Sequence, residues 1–229
     1  MDVNSLELER AGDSLTGSIL VASRLFDGTC NEKIVILVNY HSREFIYGLA
    51  LNKQATNVDE LALFYNLQLE PSDKTKLIDK PVFFGEPTHR RQTVTILHEN
   101  TPDANFIFTE HITDTLCASK SSDAFQAIAD DVFPTCDYKI FLGHMMWTEK
   151  QMFKLLKYGF FFRLPPDDDL CLRTPADKCY DTCLNKFNFD LNSLNLGALP
   201  ENFESLRRTT GAGKTESTKY KAFLDLNDS

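Results

Sequence analysis

A strand end that runs straight into a helix start constrains this 229-residue chain more than any other feature. In Phe141-Leu142-Gly143-His144-Met145-Met146-Trp147-Thr148-Glu149-Lys150-Gln151-Met152 an apolar run reaches Gly143, and a helix-opening signature follows at Thr148. Thr148 as N-cap and Gln151 three residues on form a capping box, in which each side chain satisfies the other's backbone N–H. Trp147, the single tryptophan, sits just before the cap, where it can staple over Met152. Met152, Phe153, Leu155 and Leu156 then recur at helical spacing as a buried stripe, Lys150, Lys154 and Lys157 take the wet side, and Gly159 supplies the stop. The pattern predicts a strand, a tryptophan-bearing turn and an amphipathic helix in immediate succession.

The rest of the chain reads as interleaved strands and helices. Strands are predicted over 17–23, 34–40, 45–51, 82–84, 93–98, 106–109 and 138–142, from β-branched and aromatic runs bounded by turn residues. The span 40–44 is short enough to make 34–40 and 45–51 a hairpin. Helices are predicted over 57–67, capped by Asn57 with Leu61, Phe64 and Leu67 on one face, over 121–131 from Ser121 or Ser122, and over 176–187. Two short strands, 160–164 and 170–172, bracket the turn Pro165-Pro166-Asp167-Asp168-Asp169. Hairpin-like joins mixed with long connections favour a single α+β domain over a doubly wound sheet. Residues 1–14 read as an N-terminal extension, 15–200 as the domain and 201–229 as a polar, flexible tail.

With 42% hydrophobic residues and 18 Phe, the chain can build a sizeable core. Its formal charge is −9, and the tail from Glu201 holds five acids and five bases, so the whole deficit falls on residues 1–200. Phosphate binding depends on Lys and Arg displacing counterions, so an acidic body opposes wrapping of nucleic acid, and no direct sequence-specific DNA binding is expected. The start, Met1-Asp2-Val3-Asn4-Ser5-Leu6-Glu7, has neither a basic n-region nor an apolar h-region, and the apolar run 19–22 is too short to cross a bilayer. A cytoplasmic protein with no membrane partner is the expectation. Its six cysteines, at 30, 117, 136, 171, 179 and 183, are then expected as reduced thiols. Only Cys179 and Cys183 are closely spaced. One helical turn apart, they read as core residues rather than half of a zinc site, so no metal and no cofactor is expected.

Gly211-Ala212-Gly213-Lys214-Thr215 has the end of a phosphate loop without its beginning: the first glycine would stand at position 208, which is Arg208, and no apolar strand precedes it. A polar tail is the better reading. Gly48, Gly85 and Gly143 each follow an apolar run, where a missing Cβ permits a tight turn or a close backbone approach. Asp167-Asp168-Asp169, beside Pro165-Pro166, reads as a solvated turn before it reads as a hard-cation site. His41 and His98 would serve as a general base only within hydrogen-bond reach of a nucleophile or a substrate proton. No G-x-S-x-G elbow, H-E-x-x-H pair or D-x-D motif in a strand context occurs, so no catalytic residue is assigned.

Taken in order, Gly17-Ser18-Ile19-Leu20-Val21-Ala22-Ser23, Gly48-Leu49-Ala50-Leu51-Asn52, Phe83-Phe84-Gly85-Glu86-Pro87, Leu97-His98 and Leu142-Gly143-x-x-x-Trp147-x-x-x-Gln151 resemble the bacterial YqgE/AlgH family over residues 15–199. The resemblance implies a compact α+β fold with a bifurcated, partly barrel-like antiparallel sheet surrounded by helices, in a bacterial cytosolic protein. Members of the family have been called transcriptional regulators, yet nothing here resembles a helix-turn-helix. The chain also departs from the family pattern. Glu86 replaces a second glycine, Phe45-Ile46-Tyr47 a small Gly-Ala turn, His144 a tyrosine and Cys179 a tryptophan of the last helix.

Function divides into two expectations. The first is a non-catalytic regulatory or protein-interaction module whose partner is an unidentified protein or small ligand. The alternative is a small-ligand-binding or hydrolytic enzyme with a shallow cleft among the strand-end turns, its ligand-binding residues being Asn52, Gly85, Glu86, His98, Trp147 and Gln151. Asn52 offers both donor and acceptor, strand ends expose backbone donors, and an indole supplies a flat apolar wall. The two differ in whether these side chains converge on an open pocket or are buried apart. Oligomeric state is left open by the sequence.

Overall fold

The computed structural model describes residues 14–28, 31–54, 81–84, 94–101, 109–120, 122–130 and 137–187. Strands β1 (Ile19–Ala22), β2 (Val35–His41) and β3 (Phe45–Ala50) form the antiparallel meander that the apolar runs predict. Strands β4 (Val82–Phe84), β5 (Val94–Glu99), β6 (Thr109–His111) and β7 (Leu116–Ser119) follow, then helix α1 (Ser122–Ala129) and strand β8 (Tyr138–Leu142). Strand β9 (Met145–Thr148), helix α2 (Glu149–Lys157), strand β10 (Phe161–Leu164), a π-helical turn (Asp169–Arg173) and helix α3 (Ala176–Lys186) complete the described chain. The predicted helix 57–67, Gly85, Glu86 and the tail 201–229 lie outside the described residues.

Two five-stranded sheets result, and the fold is α+β. The first, in the order β10-β1-β2-β3-β9, is antiparallel throughout; the second, β4-β8-β5-β7-β6, has one parallel pair, β4 with β8. A bridge between Gln54 and Phe83 links the chain just after β3 to the edge strand β4.

Period-two alternation explains why β1 and β2 lack a polar face. Ile19, Val21, Val35 and Leu37 turn toward the second sheet, where they meet Leu97, Leu116, Ala118, Phe141, the π-helical turn and α3. Leu20, Ala22, Ile36 and Val38 turn the other way and pack with Trp147 and with Met152 and Leu155 of α2. A strand buried on both faces reads as a continuous apolar run, as these two do.

Phe141 and Trp147 belong to different sheets. β8 ends at Leu142, Gly143 turns the chain at φ +72°, and β9 joins β3 in the other sheet. That left-handed conformation is disfavoured for any residue with a Cβ. Trp147 therefore lies on a strand rather than in a turn, a correction to the sequence reading. The helix signature holds: Thr148 Oγ1 accepts from the Gln151 N–H at 3.2 Å and Gln151 Oε1 accepts from the Thr148 N–H at 2.9 Å. A second correction concerns 170–172, which is π-helical and not a strand. Asp167 Oδ1 accepts from the Leu170 N–H at 3.0 Å and starts the turn, while Leu170, Cys171 and Leu172 are all buried. A short run buried all round carries no periodicity to tell helix from strand.

Two local features of the first sheet shape its surface. A Cβ on Gly48 would stand 2.5 Å from Ile36 Cγ2 and 3.2 Å from Trp147 Cζ3, so this glycine marks a close approach within the strand. Between Val38 and Tyr40 the β2–β3 register shifts, leaving Asn39 as a bulged residue. Val38 faces α2, and plain alternation would send Tyr40 there too; the extra residue sends Tyr40 to the opposite face and sets His41 toward α2 instead. Among the described residues Asn39 Oδ1 is buried with no hydrogen-bond partner.

Removing the cap in Thr148→Ala should destabilise the protein by about 0.5–2 kcal/mol, seen as a lowered urea midpoint with unchanged slope. An unmoved midpoint would show that the cap carries no stability. Gly48→Ala must displace Ile36 or the indole, and overpacking of this kind costs about 1–3 kcal/mol. The melting temperature should fall and the near-ultraviolet signal of the single tryptophan should change; a wild-type melt would contradict the close approach.

Candidate functional site

The described members of the predicted cleft do not meet at one open surface. Asn52 closes the loop after β3: its Oδ1 accepts from the Val35 N–H at 2.9 Å, and its Nδ2 donates to the Lys33 carbonyl at 2.7 Å. Trp147 is 4% exposed on the α2 side of the first sheet, so its indole walls no cleft. Gln151 is engaged in the capping box, and His98 is buried within the second sheet. Gly85 and Glu86 lie outside the described residues.

His98 does, however, anchor a polar row. Strand pairing sets His98 opposite Cys117 and Ile96 opposite Ser119, with His111 and Thr109 beside Cys117 and Ser119 on β6. Paired residues share a face, so these groups gather on one side of the sheet while Leu97, Leu116 and Ala118 take the side facing the inter-sheet core. His98 Nδ1 stands 2.8 Å from the Glu99 carbonyl oxygen, which can only accept; Nδ1 thus carries the proton, and Nε2 accepts from Ser119 Oγ at 2.8 Å. Thr109 Oγ1 continues the chain, 2.9 Å from Ser119 Oγ. Alongside, Cys117 Sγ lies 3.3 Å from His111 Nδ1.

A hydroxyl, an imidazole that accepts its proton and an acceptor that orients the ring make up the nucleophile–base geometry of acyl transfer. Desolvation lowers the His98 pKa, against the raising effect of the Glu99 carbonyl, and so holds the ring in its neutral, proton-accepting form. Access is what the arrangement lacks: His98 and Ser119 are both 0% exposed. Sequence reasoning missed Ser119, Thr109, Cys117 and His111. The signal that could have found them is the alternation in Leu116-Cys117-Ala118-Ser119, polar or sulfur groups on one face and apolar on the other.

His41 is committed elsewhere. Leu15 N–H donates to its Nδ1 at 2.9 Å, which leaves the proton on Nε2, donated to Glu149 Oε1 at 3.1 Å. The ring ties Leu15 to the first turn of α2. Two of the aspartates of 167–169 are likewise engaged, Asp167 with Lys186 and with the Leu170 N–H, Asp169 with Arg173 at 2.6 Å. They border an open cleft of about 600 Å³ together with Thr113, Thr115 and Pro166. Among the described residues no three His, Cys, Asp or Glu side chains are placed to hold a metal ion.

Among the described residues the exposed large apolar side chains lie on the first sheet, on the face away from α2. Tyr40 stacks on Tyr47 with ring centroids 5.4 Å apart, Phe45 lies parallel to Tyr47 at 6.5 Å, and His144 meets Tyr47 edge-on at 4.5 Å. Met146 pairs with Tyr47 across β3 and β9 and extends the strip.

The chain matches the profile of the AlgH-like family over residues 19–192. It belongs to that family. Among AlgH-like relatives, protein YqgE of Escherichia coli O127:H6 is 26% identical over 171 residues, covering 73% of this chain and 89% of the relative. YqgE of Shigella boydii serotype 18 is 26% identical over 168 residues, with 72% and 88% covered. The solution structure of AlgH from Pseudomonas aeruginosa superposes with a TM-score of 0.62 at 18% identity, over 83% of this chain and 97% of that one. A crystal structure from Corynebacterium diphtheriae gives a TM-score of 0.56 at 16% identity, over 76% and 87%. At such identities the two structures establish the fold alone.

Among the described residues of this AlgH-like domain one charged side chain, Lys139, is buried. Lys139 is 6% exposed; its Nζ donates to the Thr174 carbonyl at 3.0 Å and sits 5.2 Å from the centre of the Phe83 ring. Burial lowers its pKa. Burial also raises the Cys171 thiol, which stays protonated beside the ammonium. Since the folded lysine holds its proton less tightly than the unfolded one, the unfolded chain binds more protons between the lowered value and the ordinary 10.5. Stability from this group therefore rises with pH in that window. Lys139→Met keeps an unbranched stem without the charge, so wild type should gain on the variant as pH climbs toward 10.5. Urea midpoints at stepped pH would measure it, and a constant difference would contradict the burial argument.

Proposed function

We propose that this chain is a non-catalytic regulatory module that binds a protein partner in the cytoplasm through the aromatic strip of its first sheet. The observation that carries the reading is exposure: Tyr40, Phe45 and Met146 are 40%, 37% and 44% accessible, and they are the exposed large apolar side chains among the described residues. Aromatic residues and methionine are enriched at the centres of protein interfaces. The charge of −9 opposes direct duplex binding, so a regulatory effect is better transmitted through a protein than through DNA. Among the described residues no helix is long and apolar enough to cross a membrane.

A second reading, hydrolysis, draws on the 2.8 Å contact between Ser119 Oγ and His98 Nε2. One pair of experiments separates the two. A photo-crosslinking residue in place of Tyr40 should capture a discrete protein in living cells, whereas the same residue at Lys157, exposed on α2, should not. A fluorophosphonate probe should leave Ser119 unmodified. Stoichiometric labelling of Ser119 together with no capture at position 40 would move the assignment to hydrolysis.

A further inference from the structure

We infer that His41 is a pH-sensitive latch on the strap 14–18, holding Leu15 against the first sheet while the imidazole is neutral and releasing it when the ring takes a second proton. The latch lies on the α2 side of the sheet, where the bulge at Asn39 sets His41, and is independent of whatever covers the aromatic strip.

Its contacts allow the ring a single neutral form. The Leu15 N–H can only donate, so Nδ1 must accept it, at 2.9 Å, and the proton on Nε2 goes to Glu149 Oε1 at 3.1 Å. A second proton has nowhere to bind but Nδ1, the atom that faces the Leu15 N–H. Two donors would then point at each other at 2.9 Å, and one of them must move. The ring is the better held of the two. Its contact with the Glu149 carboxylate becomes charge-assisted on protonation, and Phe153 of α2 packs edge-on against it with centroids 6.2 Å apart. Leu15 is therefore the group that gives way.

The charges around the ring come from three directions. α2 supplies Glu149, in contact, with Lys150 next to it in sequence. The β2–β3 hairpin supplies Arg43 and Glu44, and the Glu44 carbonyl accepts from the Glu149 N–H at 3.3 Å. From β10, Arg163 reaches the strap itself, donating Nε to Ser18 Oγ at 2.8 Å and Nη2 to the Ser14 carbonyl at 3.2 Å. A guanidinium keeps its charge throughout, so this hold does not vary with pH. Nor does the bond from the Gly17 N–H to the Val38 carbonyl, at 2.8 Å. What acid loosens is the grip on Leu15 alone.

The side chain of Leu15 is buried in the apolar cluster beneath α2, with Val38, Ile46 and Met152. Its release uncovers an apolar seat beside the first turn of that helix. Because the docked strap excludes the second proton, the released form binds more protons, and docking strengthens as pH rises through the imidazole range.

Amide hydrogen exchange of the full chain, read by NMR between about pH 8 and pH 5, tests the latch. Protection of the Leu15 amide, corrected for the intrinsic pH dependence of exchange, should fall about tenfold, the worth of one hydrogen bond. The fall should track the His41 ring-proton shifts, while Gly17 keeps its protection. His41→Asn places a non-titrating acceptor near the Nδ1 position, and its Leu15 amide should be equally protected at both ends of the range. Glu149→Gln removes the carboxylate that favours the protonated ring and should move the release to lower pH. Leu15 protection that stays constant while the wild-type ring titrates overturns the inference, and this arm needs no variant to fold. A loss of protection that persists in His41→Asn, or a midpoint that Glu149→Gln leaves in place, overturns it as well.

Discussion

The seat of the Trp147 indole beside the bare backbone of Gly48 holds the two halves of the domain in place. β9 follows β8 after Gly143 and His144, so wherever Trp147 docks against the first sheet, the end of the second sheet is carried with it. Thr148 then opens α2 at once, and the helix has little choice but to lie over the same face as the indole. One contact thus sets the position of a strand, a helix and the join between two sheets. Gly48 makes it possible by letting ring and backbone approach closer than a methyl group would allow.

The fold was legible where its signals are local. The capping box needs only a three-residue spacing, and the meander needs only runs of β-branched residues. Asn52, expected to bind a ligand, instead caps its turn, with partners Val35 and Lys33 at the mouth of that same hairpin. Alternation along β7 could have marked Cys117 and Ser119 but not their partners, because the polar row is a product of pairing between strands: Ser119 meets His98 across 21 positions. Trp147 was misplaced for a related reason. A four-residue strand wedged between a sheet switch and a helix cap leaves no room for an alternation to show.

Charged groups in this chain mostly serve to tie elements together. Arg173, at the end of the π-helical turn, reaches Glu99 of β5, Asp137 before β8 and Asp169 of its own turn. His41 joins Leu15 to α2, and Lys186 returns from α3 to Asp167. Of the groups a sequence search would collect as candidate ligands, His41, Asp167 and Asp169 are therefore already engaged with charged partners. Exposed pairs of this kind add little stability singly, but they fix where loops end.

The bulge at Asn39 gives the first sheet something its residues alone do not specify. Strand alternation behaves like a two-beat rhythm, and one inserted residue shifts its phase for everything downstream in that strand. Take the insertion away and Tyr40 would point into α2 while His41 would stand in water, with no change to either residue. The aromatic strip is in this sense a matter of timing along β2 as much as of composition. A relative could lose or acquire that surface through a single-residue insertion or deletion, keeping every aromatic side chain it had.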